Sequence, residues 1–537
     1  MESSLTLALP FLWLGIPPAI LALIPIAAVV SLMLWGRSAA FAGSTGLLLA
    51  LVLAWSPAFA DTFGAEDGRS LATGAAVGEA AFTALTILWI VFAALCVYYL
   101  QEMSGAIVTI RDRLASLSSD PRIVAILVAW FFALFMEGAA GFGTPVALAA
   151  PLLVGLGFRP VEAVSIALLG HAIGVSFGAV GTPVIPQAAA TGLSELSIAR
   201  STSLLHTLAG WFMLFVVVYL AGRIASGRGA GAVWGWAVLA AFAFLVPYVL
   251  IAWFVGPELP TLLGAVVGAA VLVVVLRRVH TPQVAGGLPG GATSAAGPPP
   301  ADEASATPPG LVRAAAPYLV LIALVLLTRL VGPIEDASRA VVIDWTISDR
   351  FAGSFEPFYH PGTLLVLSFL VAGPLQRQPP AVFRGAVWSA ARRIAPVSIA
   401  LFATLGVARL MVHSGMIEEL AVAAADNLGV LWPVAAPFVG ILGTFATGSA
   451  TSSNVLFTEF QASTANQLDL RLENMIGAQG FGAAAGNVIA PHNIVAGGAT
   501  VGLRGEEGAV LRRTAIPCLL YGLAGGVLTF IITRWAY

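Results

Sequence analysis

The stretch MEGAAGFGTP, residues 136–145, interrupts a hydrophobic run that extends from Ile123 to Phe158. It brings three glycines and the carboxyl group of Glu137 into a segment that otherwise has the composition of a plain membrane helix. Backbone that leaves helical geometry inside a bilayer loses its internal hydrogen bonds, so it persists only where it is packed in protein or lines a wet cavity. Secondary transporters build substrate sites from helices broken in this way. The stretch therefore predicts a transporter.

The overall composition predicts an all-α polytopic membrane protein. Hydrophobic residues make up 59% of the 537 residues and charged residues 10%, against roughly a quarter charged in soluble proteins. The sequence contains many apolar runs, and each long one can cross a hydrocarbon core of about 30 Å. We therefore expect about a dozen membrane crossings. A net charge of −2 offers no basic surface for nucleic acid. Two cysteines are too few for a disulfide framework or a metal site, so we expect neither a metal nor a cofactor.

The charged residues predict the orientation of the chain in the lipid bilayer. Arginines cluster in alternate loops, and the loops between these clusters are acidic or neutral: Asp61–Glu79, Gly332–Pro361 and His413–Asn427. Because loops rich in arginine stay in the cytoplasm, the acidic loops are predicted to be external. The segment 280–312 is rich in proline, glycine and alanine, which is typical of a flexible linker, here cytoplasmic.

The two halves of the chain repeat at an offset of about 310 positions. The matching pairs are 104–107 with 414–417, 141–145 with 448–454, 178–183 with 486–491, and 190–193 with 499–503. The loop after Ser104 carries arginines, whereas the loop after Ser414 carries carboxylates. Opposite charges on equivalent loops predict inverted-topology repeats with broken or re-entrant helices, and a substrate site near the midplane where the breaks meet.

These features divide the chain into six predicted segments. They are N-terminal membrane helices over 1–80, a first inverted repeat over 81–225, a connecting helix pair over 226–279, a flexible linker over 280–312, connecting helices over 313–393, and a second inverted repeat over 394–537. The repeat predicts in addition that the tips 141–144 and 451–454 lie within about one substrate length of each other, because a two-fold axis brings equivalent breaks together.

The second break, GSATSSN at residues 448–454, is rich in hydrogen-bonding side chains. Five of them fall in six positions: Ser449, Thr451, Ser452, Ser453 and Asn454. Such groups are costly in lipid unless they are paired, so the cluster predicts a substrate or ion site. The alternative is that small polar residues hold two helices together.

The first break offers backbone groups instead of side chains. Gly141 and Gly143 leave their amides accessible, Thr144 adds a hydroxyl, and Pro145 suits the first turn of a new helix. The start of a helix binds anions, so these residues are predicted to bind the substrate. The alternative is a close helix crossing through small residues.

Three ionisable side chains are candidates for carrying a coupled proton: Glu137, His171 and His492. A carboxylate at the centre of a membrane helix costs about 3 kcal/mol or more, and a buried carboxyl group is correspondingly easier to protonate. For each of the three a purely structural role is the alternative. Secondary candidates are Thr182, Asn487 and Asn493, at or next to the matched segments 178–183 and 486–491. Arg409 is a further secondary candidate, although its side chain could instead extend toward the membrane interface.

Four segments resemble the signature sequences of the bacterial L-lactate permease family. They are EGAAGFGTPV at 137–146, GLGF at 155–158, FGAVGTP at 177–183 and GSATSSNVLF at 448–457. The resemblance implies import of L-lactate, or of glycolate or a related 2-hydroxymonocarboxylate, with protons across the bacterial inner (plasma) membrane. It also implies a scaffold domain and a mobile transport domain, often in a homodimer, and no enzymatic activity.

The sequence leaves three alternatives to a proton-coupled lactate importer. One is a sodium-coupled importer of another small organic acid, and another is a channel. The third is an intramembrane hydrolase using Ser449 or Ser453, although the chain lacks the nucleophile-elbow motif of hydrolases. Neither break contains an arginine, so helix dipoles, amides and hydroxyls would bind the anion, which suits a single negative charge.

Overall fold

The computed structural model describes residues 16–59, 62–65, 68–115, 117–118, 120–141, 143–224, 231–279, 309–348, 350–503 and 505–535. Most of the predicted linker over 280–312 lies outside these residues. Within them, nine helices are long and apolar enough to cross a membrane, or up to ten if a bent helix pair counts as one span. The described residues also include four shorter apolar helices. The predicted dozen crossings would be reached only if some of these shorter helices also crossed the membrane. A polytopic helical membrane protein is confirmed.

The described part of the first half contains a series of α-helices, apart from residues 178–181, whose backbone is partly left-handed. They are α1 Pro18–Leu34, α2 Ala39–Ala54, α3 Arg69–Met103, α4 Ala106–Ala115, α5 Pro121–Ala125, α6 Ala133–Ala139, α7 Thr144–Gly155, α8 Pro160–His171, α9 Ile185–Thr191, α10 Glu195–Ala209 and α11 Trp211–Ile224. A π-helix, Ile126–Phe132, joins α5 to α6, and a 3₁₀ helix, Ala172–Phe177, follows α8. Two helices then connect the halves, α12 Gly231–Phe254 and α13 Pro260–Arg278.

The second half follows the same plan. Its helices are α14 Leu311–Leu330, α15 Gly332–Arg339, α16 Pro361–Gln376, α17 Pro380–His413, α18 Met416–Leu428, α19 Trp432–Thr447, α20 Ala450–Gln467, α21 Leu472–Gly486, α22 Pro491–Thr500 and α23 Glu507–Trp535. Short 3₁₀ helices, Gly429–Leu431 and Asn487–Ile489, precede α19 and α22. A small hairpin departs from the all-α prediction: β1 Ile343–Ile347 pairs antiparallel with β2 Phe351–Phe355, favoured by its β-branched and aromatic residues.

The order of the elements repeats between α3–α11 and α17–α23. Each copy opens with a very long helix, of 35 residues in α3 and 34 in α17, followed by a short helix. A helix that ends at a glycine break comes next, then a helix after the break. Each copy continues with a helix that tightens into a 3₁₀ turn before a second break. The repeat read from short glycine and alanine matches is therefore present in the fold.

Contacts at the two ends of α3 and α17 give the relative orientation of the repeats. Met103, the last residue of α3, lies near the start of α17, where a β-carbon on Gly385 would be 3.2 Å from its sulfur. At the opposite end, Glu79 Oε2 lies 2.8 Å from Nε2 of His413, the last residue of α17. The two equivalent helices thus run antiparallel, which is the arrangement predicted for inverted repeats.

The buried apolar residues of the described chain form several clusters, of which two are the largest. The larger surrounds the π-helix Ile126–Phe132, every residue of which is buried. The second joins α3 to α14, α16 and α17, and these four helices are called the frame below. The spans Arg122–Ala139 and Pro160–Gly181 are buried over their whole apolar windows, so they contact protein and not lipid. Broken helices are tolerated in such an environment, because neighbouring segments can satisfy their backbone. The predicted segment bounds stay predictions.

Candidate functional site

Break A joins α6 to α7 and contains Gly141 and Gly143. Both glycines have positive φ, at 60° and 80°, a left-handed conformation that L side chains rarely adopt. Gly143 caps α7, and Pro145 occupies the first turn, where no amide hydrogen is needed. The Thr144 hydroxyl donates a hydrogen bond to the Gly141 carbonyl, at 2.8 Å. The Gly141 amide donates to the Met136 carbonyl at 3.2 Å and the Thr144 amide to the Gly141 carbonyl at 3.0 Å, so these two amides close the turn instead of facing a ligand.

Break B lies between the 3₁₀ helix Ala172–Phe177 and α9. Three successive residues adopt left-handed conformations, namely Ala179 with φ 42°, Val180 with φ 57° and Gly181 with φ 79°. For the two non-glycine residues this conformation is strained, and strain of this kind is concentrated at functional sites. The Thr182 hydroxyl donates to the Ala179 carbonyl, at 2.5 Å, which helps to close the turn.

Breaks C and D are the counterparts in the second repeat. Break C is formed by Gly448, with φ 74°, and by Ser449, whose side chain caps α20 by accepting from the Ser452 amide at 3.3 Å. Break D lies between the 3₁₀ helix Asn487–Ile489 and α22, and Asn493 Nδ2 donates to the Asn487 carbonyl at 3.2 Å. Both breaks end at a helix N-terminus, where backbone amides favour an anion.

Within the first repeat, break A contacts break B. A β-carbon on Gly141 would lie 3.2 Å from the β-carbon of Ala179. Break A also approaches break D of the other repeat, because a β-carbon on Gly143 would lie 3.5 Å from Asn493 Oδ1. Three breaks that are far apart in sequence, A, B and D, are thus linked by contacts through break A.

Break C contacts both break D and break B, so the four breaks form a closed set of contacts. A β-carbon on Gly448 would lie 3.0 Å from the β-carbon of His492 in break D. Asn454, in the first turns of α20, donates from Nδ2 to the Pro183 carbonyl in break B at 2.9 Å. The tips 141–144 and 451–454 therefore both contact break B, which supports the prediction that they lie close together. We call these four linked breaks the ring.

Glu137 and His171 meet behind break A. The Glu137 side chain is buried, its Oε1 lies 3.5 Å from the position of a β-carbon on Gly141, and its Oε2 lies 4.0 Å from His171 Nε2. His171 Nδ1 lies 2.7 Å from the Ala167 carbonyl, which can only accept, so Nδ1 carries the hydrogen. In neutral His171, Nε2 is then an acceptor facing the carboxyl group. At 4.0 Å the two groups are close neighbours without a direct hydrogen bond.

Ser453 and Asn454 are already engaged by the protein. The Ser453 hydroxyl donates to the Gly440 carbonyl at 2.9 Å and accepts from Gln479 Nε2 at 3.3 Å. Gln479 Nε2 also lies 3.4 Å from Asn454 Oδ1, and Gln461 Nε2 donates to Gln479 Oε1 at 3.1 Å. These two residues therefore shape the start of α20, whereas the partly exposed Ser452 is accessible to a ligand.

Gln479 and Gln461 also belong to the site, although neither was predicted from the sequence. Both amides are fully buried, on α21 and α20, and both belong to the network around Ser453. The sequence could have indicated them, because a glutamine in an apolar membrane helix is as costly to place in lipid as the serines and threonines of residues 449–453. Thr451 is buried beside them, at 7% exposure.

Two other candidates occupy different surroundings. His492 is exposed at the start of α22, next to break C. Arg409 of α17 forms an ion pair with Glu459 of α20, with Nη1 3.2 Å from Oε1. Arg409 also lines a cavity of 1510 Å³ whose walls include α9, the hairpin and Tyr359. About half of the lining residues belong to segments predicted to be external, and α9 leads from the cavity to break B.

Comparisons with known sequences place this chain among permeases. Residues 18–535 match the family model described as L-lactate permease. The L-lactate permease of Salmonella typhimurium is 30% identical over 472 residues, covering 82% of this chain and 84% of that protein. The L-lactate permease of Streptococcus iniae is 30% identical over 463 residues, covering 84% and 92%. The glycolate permease GlcA of Escherichia coli is 29% identical over 486 residues, covering 83% and 84%.

Two solved structures share the fold. The YdaH transporter of Alcanivorax borkumensis has a TM-score of 0.53 at 17% identity, covering 95% of this chain and 99% of that one. MtrF of Neisseria gonorrhoeae, from a class of antimetabolite efflux pumps, has a TM-score of 0.50 at 15% identity, covering 93% and 96%. The chain belongs to the L-lactate permease family. It is a multi-pass transporter of the bacterial inner membrane and not an enzyme.

Proposed function

We propose that this chain imports L-lactate, or a related 2-hydroxymonocarboxylate such as glycolate, by symport with a proton. The names of its relatives support this substrate class, since both lactate and glycolate permeases are among them. The observation that carries the proposal is the position of Glu137, whose buried carboxyl group lies between breaks A and B and next to His171.

The ring supplies groups suited to a small monocarboxylate. The N-termini of α7 and α20 direct the positive ends of their helix dipoles toward the carboxylate. The proposed ligand-contacting residues are Gly141, Gly143, Thr144, Ser449, Thr451 and Ser452, with Ser453 and Asn454 holding the start of α20 in place. Amides and hydroxyls without an arginine match one negative charge better than two, which favours monocarboxylates over dicarboxylates.

Coupling to the proton follows from charge repulsion. A lactate anion bound at break A brings a second negative charge close to Glu137, which makes the ionised carboxyl group unfavourable. Substrate binding then recruits a proton to the Glu137–His171 pair, and release of the substrate allows the proton to leave. Each ligand raises the affinity for the other, and such a reciprocal linkage is what symport requires.

Proteoliposomes containing the purified protein test this function. A competition panel of L-lactate, D-lactate, glycolate, pyruvate and succinate should show strong competition by the 2-hydroxymonocarboxylates and weak competition by succinate. A proton gradient directed inward, with the outside more acidic, should drive accumulation of L-lactate inside the vesicles in sodium-free buffer. Accumulation that requires sodium instead would favour the sodium-coupled alternative, and uptake that never exceeds equilibrium would indicate a channel.

A further inference from the structure

Break B is held in a geometry that it would not adopt alone. Ala179 and Val180 are consecutive non-glycine residues with positive φ. Residues in this region of conformational space are strained and persist only where the surrounding structure fixes them. Break D, the counterpart in the second repeat, contains no such residue among those described. The contacts that break B makes with its surroundings must therefore hold it in this conformation.

The loop between α12 and α13 packs directly against break B. A β-carbon on Gly181 would lie 2.9 Å from both the carbonyl carbon and the carbonyl oxygen of Pro257. Thr261 reinforces the contact, because its hydroxyl donates to the Gly174 carbonyl at 2.8 Å. Val180 and Leu259 belong to the same buried apolar cluster. The position of this loop thus limits how far break B can move.

An ion pair ties this loop to the frame. Glu258 follows Pro257, and its Oε1 accepts from Arg329 Nε at 3.0 Å and from Nη2 at 2.5 Å. The Arg329 side chain, on frame helix α14, is 4% exposed and that of Glu258 is 1% exposed. Arg329 is fixed in turn by Tyr359, since it donates to the Tyr359 carbonyl at 3.0 Å and stacks 3.4 Å from the ring centre.

The pair is poorly suited to a purely stabilising role. Glu258 Oε2 and Arg329 Nη1 are buried without a hydrogen-bond partner in the described part of the chain. The cost of burying two charges is recovered only when their remaining polar atoms are satisfied. Here they are not, so the pair contributes orientation more than stability.

We propose that Glu258 and Arg329 are positioning residues, which hold break B in its substrate-binding geometry through Pro257. This inference rests on the proposed function of the ring as the substrate site. Without the pair, break B relaxes and substrate affinity falls, while carriers that have bound substrate still turn over. Glu137 and His171 are untouched, so the pH dependence of transport stays as in the parent.

Two substitutions and one matched control test the proposal in proteoliposomes. Glu258→Gln and Arg329→Gln should each raise the KM for L-lactate about tenfold and leave kcat within about twofold, with an unchanged pH profile. The control is Arg339→Gln. Arg339 stacks on the same Tyr359 ring at 3.6 Å. It forms ion pairs with Glu335 and Glu356 instead of Glu258. The KM of the Arg339→Gln variant for L-lactate should therefore equal that of the parent.

A third substitution reaches break B from its other side. Gly181→Ala presses a methyl group against Pro257, so it should raise KM in the same way. Because both changes act on one contact, Glu258→Gln combined with Gly181→Ala should raise KM by less than the product of the single effects. A parental KM in Glu258→Gln, or a fully multiplicative double variant, would overturn the proposal.

Hydrogen–deuterium exchange gives a readout that needs no substrate. Residues 178–184 should lose protection in Glu258→Gln and keep it in Arg339→Gln, while the rest of the protein exchanges as in the parent. Unchanged protection in Glu258→Gln contradicts the positioning role. If the parent protein failed to transport lactate, the proposed function would fall, but this measurement would still decide whether the ion pair holds break B.

Discussion

The carboxyl group of Glu137 occupies the space that a side chain at Gly178 would need. An ideal β-carbon at position 178 would overlap Glu137 Oε1 and lie 3.1 Å from its carboxyl carbon. Gly178 has φ −67° and ψ 157°, values that any residue adopts, so its lack of a side chain serves the carboxyl group and not the backbone. Break B is therefore shaped around Glu137.

Gly178→Ala should displace the Glu137 carboxyl group. Lactate accumulation driven by a pH gradient should then fall roughly tenfold or more, because a functional group moved by about 1 Å loses much of its effect. The matched control is Gly155→Ala at the end of α7, where no described atom lies within 4 Å of the added β-carbon. The control should accumulate lactate as the parent does. Accumulation in Gly178→Ala equal to that of the control would mean that the position of the carboxyl group is unimportant.

Glu137→Gln tests the coupling directly. Glutamine keeps the size of the side chain and imitates the protonated carboxyl group, so the variant should bind lactate and exchange it across the membrane. It should lose uphill accumulation, because no proton is bound and released. The measurements are counterflow and pH-driven uptake in the same vesicles. Normal accumulation would make Glu137 a structural residue, and His171 and His492 would be the next candidates.

Asn454→Ala should weaken lactate binding by removing the bond that ties α20 to break B. The Pro183 carbonyl would lose its partner, at a cost of about 1–3 kcal/mol, or roughly five- to a hundredfold in affinity. Asn427→Ala is the control, because Asn427 also donates to a backbone carbonyl, at 2.7 Å, but is exposed on α18. Equal affinities in the two variants would assign Asn454 to helix packing alone.

Much of the fold could be predicted because a bilayer leaves few alternatives. Runs of apolar residues must be helices in lipid, and glycine breaks with polar residues must be buried in protein, so the spans and breaks A and C were visible in the sequence. Inversion could be predicted as well, since the charges of the equivalent loops after Ser104 and Ser414 differ in sign. These inferences depend on local composition and on the order of matching segments in the two halves.

Other parts of the site depend on tertiary contacts that local composition does not encode. The pairing of Glu258 with Arg329 joins residues 71 positions apart, and nothing near either one indicates its partner. The left-handed conformation of Ala179 and Val180 contradicts the preference of both residues and is imposed by their neighbours. The hydrogen bond from Asn454 to the Pro183 carbonyl could not be predicted either, because Pro183 lies in the other repeat.

The last prediction concerns stability and pH at His360, which precedes α16 outside the spans. Its Nδ1 accepts from the Gly362 amide, at 3.4 Å, and so caps the helix. Burial, and then the positive charge of Arg329, lower the pKa of His360 to about 4. In the unfolded chain the pKa of histidine is near 6.5.

Between these two values the unfolded chain binds a proton that folded His360 does not, so stability falls as the pH falls from about 6.5 to about 4 and is unaffected above that range. The full loss is about 3 kcal/mol, from a difference of about 2.5 pKa units at 1.36 kcal/mol each. His360→Asn keeps a capping oxygen without a titrating group. Denaturant unfolding at pH 7.5 and pH 4.5 should therefore show a smaller decrease in the variant than in the parent, and equal decreases would assign the acid sensitivity to other groups.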